Sequence, residues 1–127
     1  MGTSSNAVNL MFEQVHALFR SGLQRILEQE RHNENRINLY SVGEYWAAFE
    51  QSAYQLQRMT RNEAPPVILY LEQHPFPIVM HNVHRQQMAA LCRDHVPAKK
   101  TPQHLQLLTQ PLDAPSYHRW YKEHVED

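Results

Sequence analysis

Residues 37–59 read INLYSVGEYWAAFEQSAYQLQRM, and how this stretch divides between strand and helix decides the fold. Ile37, Leu39 and Tyr40 form a short β-prone run, whereas Val42, Tyr45, Trp46, Phe49, Ala53 and Leu56 recur mostly at three- and four-residue spacing. A period of two giving way to one near 3.6 predicts a strand that turns directly into an amphipathic helix at Val42 and Gly43. Ser41 and Glu44 have the spacing of a capping box, in which the hydroxyl accepts an orphan N–H and the carboxylate reaches back beside the positive helix end. Glu44, Glu50, Gln51, Gln55 and Arg58 fall mostly off the apolar stripe. Tyr45, Trp46 and Phe49 are thus expected to seat against a β-layer, each ring adding roughly 2–3 kcal/mol on full burial.

On the N-terminal side, Val8, Met11, Phe12, Val15, Leu18, Phe19, Leu23 and Ile26 predict a long amphipathic helix over residues 6–30, with Asn6 as its N-cap. Residues 1–5 read as a disordered start. Gly22, inside the helix, costs about 1 kcal/mol relative to Ala and suggests the close approach of another element. With Leu10 and Leu27 added, the apolar arc is wider than one neighbour needs, which makes this helix a candidate homodimerisation element.

On the C-terminal side, Pro65 and Pro66 close a polar loop, and the continuous run Val67 to Leu71 predicts a strand covered on both faces and central in its sheet. Ile78 to Met80 predicts a second strand after the break His74-Pro75-Phe76-Pro77, whose two prolines place the connection, or the start of that strand, at an edge. Asn82 is the expected cap of a helix that buries Met88, Leu91, Cys92 and His95 and stops before Pro97. Lys99, Lys100 and Thr101 read as an exposed connection, Leu105 and Leu107 as a strand ending near Gln110, and Asp113 or Ser116 as the cap of a last helix over 113–127 carrying Tyr117, Trp120, Tyr121 and Val125. The order α-β-α-β-β-α-β-α predicts a single α/β (α+β) domain of 127 residues, its core at 37–110 a mixed sheet of three to four strands packed by helices.

Three segments in that core carry a family resemblance: Leu39-Tyr40-Ser41-Val42-Gly43-Glu44-Tyr45-Trp46 followed by Phe49, the Pro-led segment Pro77 to Leu91 with its His-bearing turn, and the strand His104 to Gln110. Together they resemble the amino-terminal, mismatch-recognition domain of the MutS family. The resemblance implies a freestanding relative of a recognition domain, with Tyr45 in the place of the aromatic that wedges beside a mismatched base. Ala47 stands where that family has the Glu that hydrogen-bonds the base. There is no GxxxxGK[ST] phosphate loop, so recognition without ATP hydrolysis is what the resemblance implies.

A net charge of −1 gives no global electrostatic reason to bind a polyanion, and any nucleic-acid contact must use a local patch. Arg85, Arg93, Lys99 and Lys100, with His84 and His95 among them, are dense in sequence, and Arg58 and Arg61 lie after the central helix. With Tyr45 these cations are the candidate nucleic-acid-binding residues; the alternative is a solvated helix face and a core aromatic. The single cysteine, Cys92, rules out an internal disulfide and fits a reducing compartment. No apolar run approaches the ~18–20 residues of a membrane span, no secretory signal is visible, and the opening Met-Gly has Asn6 where a myristoylation pattern has Ser or Thr. A cytoplasmic protein without a membrane partner is expected.

Nine histidines invite a metal or acid-base hypothesis, with His81 and His84, and Cys92 and His95, each three positions apart. That spacing matches no zinc signature, so neither metal nor cofactor is expected. No GxSxG elbow exists, and Cys92 lies on an apolar stripe, where burial raises a thiol's pKa. These features describe a non-enzymatic binding module with nucleic acid as candidate ligand. The alternatives are a homodimeric protein-interaction module and a metal-dependent hydrolase using the histidines.

Overall fold

Helix α1 (Thr3–Arg31) leads into strand β1 (Arg36–Val42), which folds back as β2 (Tyr45–Phe49) before α2 (Gln51–Thr60) begins. This is seen in a computed structural model that describes residues 3–62, 64–72 and 74–125. Gly43 and Glu44 connect the two strands, with Val42 opposite Tyr45. Gly43 has φ +72° while Glu44 is not at positive φ, the pattern of a type II′ hairpin turn. The expected capping box and the helix start at Val42 are therefore corrected: residues 45–49 are extended, and the helix starts only at Gln51. Tyr45, Ala47 and Phe49 face one core and Trp46 and Ala48 the other. A strand covered on both faces carries no polar phase, and its apolar residues mimicked a helical stripe.

The chain continues through β3 (Val67–Leu69), β4 (Ile78–His84), α3 (Arg85–Asp94), β5 (Pro97–Lys100), β6 (His104–Leu108) and α4 (Ala114–Val125). The six strands form one sheet in the order β3-β4-β2-β1-β6-β5, and every neighbouring pair is antiparallel. The α+β class holds, while the mixed sheet of three to four strands is corrected. The central place expected for β3 is also corrected. β3 is an edge strand of three residues followed by an exposed Tyr70, and β4 is interior. Pro65 and Pro66 before β3 suit an edge, where a missing N–H costs no ladder bond. Lys99 and Lys100 belong to the opposite edge, β5, rather than to a loop; lysines there discourage pairing with a foreign strand.

Other boundaries shift by a few residues. Thr3 to Ser5, expected disordered, are the start of α1, which places Asn6 inside the helix; Met1 and Gly2 lie outside the described residues. Asn82 is within β4, and His84 caps α3 instead, its Nδ1 accepting the Gln86 N–H at 3.2 Å. No helix among the described residues is long and apolar enough to cross a membrane.

The sheet lies between two helical layers. Met11, Val15, Phe19, Leu23 and Ile26 of α1 pack on Tyr40, Val42, Ala47, Phe49, Ile78 and Met80. On the opposite face, Ala53 and Leu56 of α2, Met88 of α3 and Trp120, Tyr121 and Val125 of α4 cover Ile37, Leu39, Trp46, Val79, Leu105 and Leu107. The Phe49 ring is fully buried, 5.0 Å from that of Phe19 and 5.9 Å from that of Tyr40 between centroids. Such burial contributes about 2–3 kcal/mol. The apolar arc of α1 is thus taken up mainly by the chain's own sheet, with Val8 and Leu10 left exposed near its start. Helix α4 also folds onto its own domain, Trp120 Nε1 donating to Gln57 Oε1 at 2.8 Å and the Tyr121 hydroxyl to the Pro77 carbonyl at 2.7 Å.

Helix α2 has no side-chain cap from its own N-cap residue, Glu50. Glu30, 1% exposed, supplies one from the end of α1. Its Oε1 accepts the Ser52 N–H at 2.9 Å and Asn33 Nδ2 at 3.2 Å; its Oε2 accepts the Ser52 hydroxyl at 2.8 Å and Asn38 Nδ2 at 3.1 Å. Ser52 Oγ itself accepts the Asn38 N–H at 2.9 Å and Asn33 Nδ2 at 3.2 Å, so its one proton must point to Glu30. Burial pushes the Glu30 carboxyl up to about 7 against these four donors, which favour the ionised form. In Glu30→Gln an amide nitrogen would face a donor, and a loss of about 2–4 kcal/mol is expected. The urea midpoint at pH 7 measures it; a loss below about 0.5 kcal/mol would place the cap outside the determinants of stability.

Candidate ligand groove

The core beneath α1 contains no residue of β5 or β6, so this helix roofs only part of its face of the sheet. Side chains of directly paired residues share a face. Asn38 pairs with Gln106 and Tyr40 with His104, while Ile37 pairs with Leu107 and Leu39 with Leu105. The alternation His104-Leu105-Gln106-Leu107 therefore sends leucines under the α2 layer and polar groups to the side left open. Lys99, in register with Gln106, extends this floor to β5.

The C-terminal half of α1 forms the wall. A cavity of about 620 Å³ is lined by Arg25, Glu28, Gln29, Glu34, Arg36, Asn38 and Gln106, so that two carboxylates share it with the two arginines. A second, of about 580 Å³, is lined by Arg25, Gln29, Tyr40, Lys99, Gln103 and His104, without a carboxylate among the described residues. Arg25 and Gln29 belong to both, which makes them one groove. Gly22 lies one turn before the wall: α1 departs from helical geometry there, and a Cβ would stand 2.8 Å from Arg25 Nη2. The close approach of another element expected at Gly22 is therefore corrected: the nearest side chain is that of Arg25, in the same helix.

The floor is held by its own hydrogen bonds. Asn38 Oδ1 accepts from Gln106 Nε2 at 2.8 Å and from His104 Nε2 at 3.1 Å. Arg36 donates to Gln106 Oε1 at 2.9 Å, and the Tyr40 hydroxyl to Gln29 Oε1 at 3.2 Å. The Tyr40 and His104 rings are stacked, 4.8 Å apart and 3° from parallel. Burial, reinforced by Lys99 and Arg25, holds the His104 imidazole below its ordinary pKa and favours the neutral ring at pH 7.

Of the candidate nucleic-acid-binding residues read from the sequence, only Lys99 reaches this groove. Tyr45 is half-buried in β2, packed against the α1 core with its ring 5.4 Å from that of His84. Arg58 lies 5.6 Å from the centre of the Tyr54 ring, and Arg61 ends α2 in a left-handed conformation. These two arginines and His95 share a separate cavity of about 390 Å³. Arg85 and Arg93 are exposed on α3, and Lys100 turns to the face opposite Lys99. The strip that is continuous in sequence is divided in space.

The metal candidates are likewise separated. His81 is buried beside Ala48, under the α2 layer, with Nε2 lacking a partner among the described residues, whereas His84 caps α3 and lies 3.8 Å from the Glu44 carboxylate. Cys92 packs against the α2-side core and His95 ends α3. Among the described residues no three or more His, Cys, Asp or Glu side chains are grouped to hold a metal ion. The groove residues that sequence reading passed over are Arg25, Arg36, Asn38, His104 and Gln106. Asn38, the one polar residue between Ile37 and Tyr40 that is not apolar or aromatic, was the available signal.

No protein-family model, curated protein or solved structure matches the chain. In the structure the segment Leu39 to Trp46 spans the β1–β2 hairpin, and Pro77 to Leu91 covers β4 followed by α3.

A second raised carboxyl, that of Glu50, lies away from the groove. Burial pushes it up to about 7, opposed by the Tyr117 hydroxyl that donates to it at 3.0 Å. A carboxyl raised in the folded state binds more protons there than in the unfolded chain, so this group favours folding at low pH. Its contribution is lost as pH rises from about 4.5 through about 7. Glu50→Gln keeps an acceptor for Tyr117 and removes the charge. The variant should match the native chain near pH 4 and exceed its stability by about 1–3 kcal/mol at pH 8. Urea midpoints at the two pH values decide this, and a variant no more stable at pH 8 contradicts it.

Proposed function

We propose that this chain is a non-enzymatic recognition module that holds a single-stranded nucleic-acid segment in the groove between α1 and strands β1, β6 and β5. The observation that carries the reading is a floor of hydrogen-bonding side chains, already fixed by one another, bordered by Arg25, Arg36 and Lys99 and left open by the helix. Cations along such a trough track phosphates. Amide and imidazole groups that need no rearrangement lower the ordering cost of binding a polar ligand. The MutS-like segments support the same ligand class, although the groove replaces Tyr45 and the α3 cations as the contact surface.

Three cations, at about 0.7 counterions released each, give a log–log salt slope of about −2 for a single strand. Fluorescence anisotropy with a labelled 12-nucleotide strand should show binding at 20 mM salt that weakens with this slope toward 200 mM. Arg25→Gln with Lys99→Gln should weaken it further, and Arg85→Gln with Arg93→Gln should not. Absence of binding at 20 mM, or greater loss from the α3 pair, contradicts the proposal.

A further inference from the structure

We propose that the His104 end of the groove selects ribose over deoxyribose: Arg25 and Lys99 hold a phosphate, and His104 Nδ1 accepts a hydrogen bond from the neighbouring 2′-hydroxyl. This deepens the reading above and rests on the groove being the ligand site. The cavity at this end has Arg25 and Lys99 as its charged lining residues, without a carboxylate, and neither side chain is in a salt bridge among the described residues. That pair suits one anionic group.

The imidazole adds a different chemistry. Asn38 Nδ2 is committed to Glu30, so Asn38 Oδ1 is the atom turned to the groove, where it accepts from Gln106 Nε2 and His104 Nε2. An oxygen acceptor requires the proton on His104 Nε2, and in the neutral ring Nδ1 then carries a bare lone pair. Nδ1 has no hydrogen-bond partner among the described residues, and stacking on Tyr40 fixes the ring plane. Lys99 and Arg25 disfavour a third positive charge beside them, which keeps this nitrogen an acceptor. An acceptor held next to two cations is satisfied by a ligand that places a donor close to its anion. Within a nucleic-acid backbone only the ribose 2′-hydroxyl meets that demand; a deoxyribose backbone has no internal donor. Base amino groups are donors too, but RNA and DNA share them, so they cannot produce a sugar preference.

The test compares three labelled strands of one base sequence, as RNA, as DNA and as 2′-O-methyl RNA, by anisotropy at 20 mM salt. One hydrogen bond corresponds to a preference of about fivefold for RNA over the other two. His104→Phe, which keeps a ring on Tyr40 and removes the acceptor, should bring the RNA-to-DNA ratio to about one. Equal affinity for all three strands, or an RNA preference that survives in 2′-O-methyl RNA or in the His104→Phe protein, overturns the inference and leaves the groove reading standing. Failure of every strand to bind removes the groove reading and this inference with it. The 2′-O-methyl arm uses the native chain, so a poorly folded variant does not decide the outcome.

Discussion

A carboxylate removed from water must be compensated, and the compensation of Glu30 organises one end of this protein. Its two oxygens accept from Ser52 at the start of α2, from Asn38 in β1 and from Asn33 in the turn between α1 and β1. Burial alone would cost several kcal/mol, and four donors beside a helix N-terminus offset much of that. One side chain therefore joins three elements that pack on both sides of the sheet. Glu50, at the junction of β2 and α2, has φ 52° and ψ −122°, a conformation that costs of order 1–3 kcal/mol for a residue with a Cβ. The junction is held by the Glu50 N–H donating to the Val79 carbonyl at 2.9 Å and by the hydroxyl of Tyr117 from α4.

The groove follows from the same constraint. Committing the Asn38 amide nitrogen to Glu30 turns its oxygen toward Gln106 and His104, and this sets the donor and acceptor pattern of the floor. Burial of α1 over apolar residues of β1, β2 and β4 draws the helix to that half of the sheet. The other half presents His104, Gln106 and Lys99 on this face and gives the helix little apolar surface to cover. The open trough is a consequence of where the apolar surface stops.

Amphipathic elements on the outside of the sheet were legible from their spacing. α4 buries the stripe read for it and α1 all of its own but Val8, and Met88, Leu91 and Cys92 of α3 face the core. Interior strands were harder, because a strand between two helical layers loses the polar alternation that marks it. Thus Tyr45 to Phe49 imitated a helix, and the apolar run at Val67 was taken to the centre although only three of its residues pair. The candidate site was largely illegible. Asn38 and His104 are 66 residues apart and Asn38 and Gln106 68, and only strand pairing brings them together. The cations dense in sequence at 85–100 were legible, but their division between a helix face and the two faces of an edge strand was not.

The protonation state of the His104 ring reports on the whole chain of orientation from Glu30 through Asn38. Long-range ¹H–¹⁵N correlation of the imidazoles at pH 7 measures it directly. A neutral ring with the proton on Nε2 and an unprotonated Nδ1 is the predicted result. A proton on Nδ1, or a doubly protonated ring at that pH, would contradict the account.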